Sequence, residues 1–394
     1  MSRARWVAAA ALLNLAACGG GDGNGSVVPP APTPSPSPTP SPTPTPTPAA
    51  PITGVQSTAV TSFDNPWAMV FLPDGRILVT EKAGTLRIGT TSGLKSAPLG
   101  GVPAVRNEEQ GGLLDVALHP GFATNRFVYL SYAESGTGGS GLTIARGTLN
   151  EGAAGPRLDN VTVLWRQTPK VSDPGQYGGR LAFGADGKLY VTAGDRRAVN
   201  LVQNNGNTIG KIVRLNDDGT PAAGNPFAGT AGALAEIWTT GHRNPYGLAF
   251  DVAGRLWESE MGPKGGDELN LITAGRNYGW PTVSNGDNYD GTSIPDHSAG
   301  DGFEAPAVSW NPVIAPGGMI IYSGDLFAAW KGDAILAGLV GQGLVRVDLN
   351  GTAGSEAQRI GLGARIREVE QGPDGAIWVL EDAANGRLLR LVPR

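Results

Sequence analysis

The chain has 394 residues, a net charge of −5, 60 glycines, 9 tryptophans and only 16% charged residues. No basic run exists to hold a nucleic acid, and a single cysteine excludes an internal disulfide. Many glycines with few charges suit an all-β protein with tight turns.

The first residues, MSRARWVAAAALLNLAACGG, put Arg3 and Arg5 before an apolar stretch from Trp6 to Leu13 and a small-residue box ending at Cys18. This is the pattern of an export signal. Its apolar body is well short of the ~20 residues of a spanning helix. The expectation is a lipoprotein signal peptide over residues 1–17, with Cys18 lipidated. The protein is then exported to the cell envelope, as a periplasm-facing lipoprotein of the outer membrane, with the lipid as its membrane contact.

Residues 18–51 form a linker rich in Gly, Pro, Thr and Ser; proline fills 12 of the 23 positions from 29 to 51. Such a tract cannot bury apolar area and favours extended polyproline II. At ~3.1 Å per residue it would reach roughly 70 Å, a stalk.

From residue 52 to 394 no stretch carries sustained helical periodicity. Instead β-like runs recur, most introduced by a turn: DGRILVT (74–80), NRFVYLSY (125–132), DGKLYVT (186–192), AGRLWES (253–259), GDAILAG (332–338) and DGAIWVL (374–380). Gly after Asp tolerates the positive φ of a tight turn. Further runs lie between them, such as GTLRIG, LTIARGTL, GKIVRL and GLVRVDL. Six irregularly spaced units predict a six-bladed β-propeller with four-stranded blades over residues 52–394 and long functional insertions. A pair of β-sandwiches is the alternative.

Several motifs then carry chemistry or fail to. GTGGSG (136–141) has the glycine spacing of a dinucleotide site, but LTIARGTL after it alternates as a strand does, which predicts a hairpin loop. Three scattered histidines do not suggest a His-rich zinc site, and His119 reads as a turn anchor. Arg243 and Asn244, in EIWTTGHRNPYGLAF, offer a planar donor fork and an amide at a strand connection. In EMGPKGGDELNLITAGRNYGWP, carbonyls at Gly262 and Pro263 with Asp267, Glu268 and Tyr278 make an oxygen set suited to calcium. Arg365 and Arg367 alternate on a strand, so both project from one face, toward an acidic ligand or toward solvent.

In order along the chain, NPWAMVFLPDGRILVTEKAGTLRI, EEQGGLLDVALHPGF, GGRLAFGADGKLYVTAGDR, GHRNPYGLAF, GPKGGDELNLITAGRNYGWP and RIREVEQGPDG resemble the soluble quinoprotein sugar dehydrogenases, the glucose/sorbosone and aldose sugar dehydrogenase family. The resemblance runs from about Val60 to Leu391. It implies a propeller with pyrroloquinoline quinone (PQQ) over its central channel. Gln110, Gln203, Arg243, Asn244, Arg365 and Arg367 would contact the quinone, and the Gly262 and Pro263 carbonyls would hold its calcium. Glu268 and Tyr278 match a second calcium position, with Asp267 beside them. A sugar would be the substrate, and a quinone or cytochrome the electron acceptor.

Two departures stand out. The family's general-base histidine is replaced by Gln176 in SDPGQYGGRL, and an amide cannot accept a proton near neutrality. A lysine that some members place on the quinone is matched by Val340. Asp173, three residues before Gln176, is the candidate substitute base. The alternatives are a propeller that binds quinone or sugar without efficient turnover, a substrate that needs no strong base, and a metal-dependent lactonase.

Overall fold

The computed structural model describes residues 52–394. The signal peptide, Cys18 and the linker lie outside the described residues. Six antiparallel sheets follow one another along the chain, each beginning at the centre and stepping outward. Their innermost strands are Pro66–Phe71, Leu113–Leu118, Gly178–Phe183, Pro245–Phe250, Pro316–Ile321 and Ile366–Gln371, defining blades 1 to 6. Each packs against the next, and the sixth returns to the first, closing a ring around a channel. The outer strand of blade 6 is the first of the domain: Val55–Phe63 pairs with Gly386–Pro393 along its length and sews the ends together. This is the expected six-bladed propeller. Among the described residues, helix is confined to Phe122–Asn125 and two 3₁₀ turns.

The six runs read from the sequence all become second strands: Ile77–Glu81, Phe127–Gly136, Leu189–Ala193, Leu256–Glu260, Ala334–Gly338 and Ile377–Glu381. These are almost wholly buried because neighbouring blades cover both their faces, so apolar residues run on without the alternation of a half-exposed strand. The turns before four of them place Gly75, Gly187, Gly254 and Gly375 at φ of 70 to 83°, where a side chain would be strained. GTGGSG is the hairpin between Phe127–Gly136 and Gly139–Asn150. His119 anchors a turn, its Nδ1 accepting the Gly121 N–H at 2.9 Å.

One expectation needs correcting: blade 1 has three strands, not four. The segment after Thr85–Gly89 still donates from Ser96 to Ile88 and from Leu99 to Leu86. Pro98 lies between them with no N–H to give, and the ladder breaks there.

Candidate functional site

Every pairing of an inner strand with its second strand slips register within the first few residues of the inner strand. Such bulges re-aim side chains, and here they all fall at one end of the channel. At that end the inner strands begin, after Asn65, Gln110, Gln176, Asn244, Ala315 and Arg365. The second strands finish there, running into Lys82, Asp195, Met261, Leu339 and Asp382. Two depressions of about 590 and 410 Å³ occupy this face and share Gln110, Met261 and Ala315. Nine non-glycine residues have positive φ among the described residues, and five of them line these depressions: Asn65, Glu109, Gln176, Arg197 and Ala315. Strain of this kind collects where a site over-determines its backbone.

The larger depression is built around Gln176. Its surroundings orient the amide so that the nitrogen donates to Asp195 Oδ1 and the oxygen accepts from Arg243 Nη2 at 2.9 Å. Its own N–H donates to Gln110 Oε1 at 2.8 Å. Asp195 is fully buried; it accepts the Arg197 N–H at 2.8 Å and Trp280 Nε1 at 2.8 Å. Burial pushes its carboxyl up to about 6, against the pull of these donors and of Arg243. Arg243 donates to the Met261 and Gly262 carbonyls, while its buried Nε has no partner. Asn244 holds the strand entrance, accepting the Gly178 N–H at 3.2 Å.

Asp267 shapes the calcium-type loop from behind. It accepts the N–H groups of Gly262, Ile314 and Ala315 at 3.0, 2.8 and 2.6 Å, and burial holds it up at about 6. A Cβ on Gly262 would stand 2.1 Å from the Gly266 carbonyl oxygen, so only glycine lets this loop fold so tightly.

The smaller depression is cationic. Arg365 and Arg367 do project together, but toward one carboxylate, Asp382, at 2.8 and 2.9 Å. With Lys82 beside them, three cations line this wall with two acids, Glu109 and Asp382. Burial lowers the Lys82 pKa, and Arg367 adds to it.

The structure thus gathers Gln110, Gln176, Arg243, Asn244, Gly262, Pro263 and Asp267 on one depression, with Arg365 and Arg367 on its neighbour. The rest lie off these two depressions. Gln203 is exposed and donates to the Trp280 carbonyl at 2.6 Å. Asp173 is committed to Arg197 at 3.0 Å and faces the rim, not Gln176. The Tyr278 hydroxyl donates to the Leu271 carbonyl at 2.6 Å, and Tyr278 and Glu268 border one small cavity with Gly262 and Pro263. Glu268 turns inward to Asn270, at 3.2 Å. Sequence reasoning missed Asp195, Trp280 and Lys82. A usable signal existed for Asp195: it follows the second strand of blade 3, as Asp382 follows the second strand of blade 6.

A cleft lined by cations and buried carboxylates thus lies at the strand-entry face of the propeller. The family model described as Glucose / Sorbosone dehydrogenase matches residues 63–390, and the chain belongs to that family. It is 39% identical to the aldose sugar dehydrogenase YliI of Escherichia coli (strain K12) over 88% of this chain and 95% of that protein. It is 32% identical to quinoprotein glucose dehydrogenase B of Acinetobacter calcoaceticus, over 61% and 55%. The apo-form of the soluble aldose sugar dehydrogenase from Escherichia coli superposes with a TM-score of 0.82 at 38% identity, covering 86% of this chain and all of that one. The PQQ-bound aldose sugar dehydrogenase of Streptomyces coelicolor gives 0.71 at 30% identity, over 88% of this chain and all of that one.

Proposed function

We propose that this chain is a PQQ- and calcium-dependent dehydrogenase of an aldose sugar or a related alcohol or aldehyde. In this reading it is exported, held to the envelope through Cys18, and re-oxidised by a quinone or cytochrome. The observation that carries the reading is the unpartnered, buried Nε of Arg243 beside a wall where Lys82, Arg365 and Arg367 outnumber Glu109 and Asp382. Buried donors without partners are costly, and a flat anion satisfies both features. Arg243, Gln110 and Asn244 would hold one end of the quinone, and Arg365, Arg367 and Lys82 the other. The carbonyls of Gly262 and Pro263 offer calcium a hard oxygen pair, with Arg243 now donating to the first of them.

When bound, the quinone supplies a two-electron acceptor for the hydride that leaves the sugar carbon. The protein must then take the hydroxyl proton. Gln176 cannot do so; it can orient the hydroxyl, being fixed by Arg243 and Asp195. Asp267 and Asp195 each accept three donors, but those of Asp267 are all backbone N–H groups behind the loop, whereas one of those on Asp195 is the Gln176 side-chain amide that lines the depression. Asp195 remains, and a carboxyl raised to about 6 is ionised at neutral pH yet basic enough to accept a proton.

The test is sugar-dependent dye reduction by the apo-protein after adding quinone and calcium. Expected are an acid limb near pH 6 and a loss on the order of 10²-fold in Asp195→Asn, with Gln176→His faster than wild type. Bound quinone with no reduction across a broad sugar panel would overturn the dehydrogenase reading. It would favour the second one, a binding propeller, for which Gln176 itself speaks.

A further inference from the structure

Behind the pocket wall, blade 4 buries an acidic knot that the reaction above does not use. Glu258 and Glu260 on Leu256–Glu260 lie opposite Asn270 and Glu268 on Asp267–Ile272. Their exposures are 0, 3, 0 and 6%. Asn270 Nδ2 sits 3.1 Å from Glu258 Oε2, 3.4 Å from Glu260 Oε1 and 3.2 Å from Glu268 Oε2. Fully buried His242 adds Nδ1 at 3.2 Å from Glu260 Oε1 and 4.0 Å from Glu258 Oε2. Three carboxylates therefore converge on one neutral amide nitrogen. Among the described residues no Lys or Arg side chain bonds to them; Arg243 gives Glu260 only its backbone N–H.

Acidity alone would not make this a site, but its unmatched atoms point inward. Glu258 Oε1 and Asn270 Oδ1 are buried without partners. His297, its side chain 4% exposed, has both ring nitrogens unpartnered and Nε2 3.9 Å from Glu268 Oε1. Turning the Asn270 amide over would replace a donor with an acceptor at the point where the carboxylates meet.

We propose that Glu258, Glu260, His242 and the turned Asn270 hold a buried divalent cation, distinct from any ion on Gly262 and Pro263 and from the second calcium position that Glu268 and Tyr278 match. Carboxylates and an amide oxygen select a hard ion, and imidazole shifts the preference from calcium toward manganese. Bound there, the ion would stiffen the wall that carries Arg243, through the Glu260 contact to its backbone.

The test uses the quinone-free protein, so that it stands or falls apart from the dehydrogenase reading. After mild chelation, elemental analysis should find a tightly held divalent ion, and bound manganese should give a broadened paramagnetic resonance spectrum. Re-adding manganese to fully chelated protein should raise the melting temperature by about 5 °C. Glu258→Gln should lose the ion and this rise, yet melt no lower than chelated wild type, because the amide removes a buried charge. His242→Gln should weaken the ion without abolishing it. The proposal is overturned if wild type holds no ion and manganese, calcium and zinc all leave its melting unchanged. Undiminished metal in both variants would overturn it equally.

Discussion

The channel has two ends built from the same six strands, and they handle charge in opposite ways. At its middle and far end, the Arg180 guanidinium donates to Glu368, to Asp115 at 3.4 Å and to the Tyr246 carbonyl at 2.6 Å. It also lies over the Trp67 ring at 4.3 Å. Those partners come from blades 1, 2, 4 and 6, and Arg180 itself from blade 3. Blade 5 approaches through Gly318, where a Cβ would stand 2.2 Å from Glu368 Oε1. At the mouth, Arg243 bonds only loop carbonyls and the Gln176 amide oxygen. Each arginine keeps one buried nitrogen without a partner, Nη2 of Arg180 and Nε of Arg243, so what separates them is the ion pairing: a charge held by buried carboxylates ties a scaffold together, and one facing neutral oxygens can meet an anion.

The comparison breaks most readily at Arg180. Arg180→Ala leaves Glu368 and Asp115 as uncompensated buried acids, which costs roughly 3–5 kcal/mol. Chemical denaturation should show that loss, while the same truncation at Arg243 should change stability by about 1 kcal/mol or less. The order reverses for binding. Arg243→Ala should weaken quinone affinity on the order of 10²-fold, read by optical titration, since a charge-assisted donor pair is worth ~3 kcal/mol. Equal stability losses at the two arginines would erase the distinction.

A smaller effect follows from pH. Burial pushes Glu368 up to about 7, with Arg180 pulling against it. The folded protein therefore binds a proton more tightly than the unfolded chain, whose glutamate titrates near 4.3. Stability contributed by that proton is present at low pH and falls as pH rises from about 5 to 7. Asp115 and Glu370 face the same space and are raised in the same direction. Melting temperature should drop across this interval, and Glu368→Gln should flatten the slope. A rising curve would mean that Arg180 outweighs burial.

How much of this was legible follows from what each strand must satisfy. Second strands announced themselves, because burial on both faces forces unbroken apolar runs such as ILVTE and IWVLE. Inner strands did so only in part. IREVEQ announced itself as a strand through the alternation of Arg365 and Arg367 at its start, whereas GGRLAF, which carries Arg180 of the channel plug, did not. The pocket arginines and the Gly262–Pro263 loop were found through motif order. Asp195 was not, since its significance is its contact with Gln176, a residue nineteen positions earlier that only the fold brings beside it. Asp173 looked suitable by proximity in sequence, but Arg197 claims it. The lipid anchor and linker belong to residues outside those described.

The smallest effect tests the mouth's second layer. Gln203 was expected on the quinone, yet its amide holds the Trp280 carbonyl at 2.6 Å and exchanges a bond with Asn277 at 2.7 Å. Trp280 in turn donates to Asp195 at 2.8 Å and carries part of the pocket wall. Removing the amide in Gln203→Ala costs about one hydrogen bond, ~1 kcal/mol, and loosens the indole. Weakening a donor to a carboxylate raises its pKa, so the acid limb of the activity profile should move upward from pH 6 by a few tenths. KM should rise only about fivefold if the wall shifts. A direct quinone contact would instead lower cofactor affinity and leave the acid limb in place, so the two roles for Gln203 separate on the pH axis.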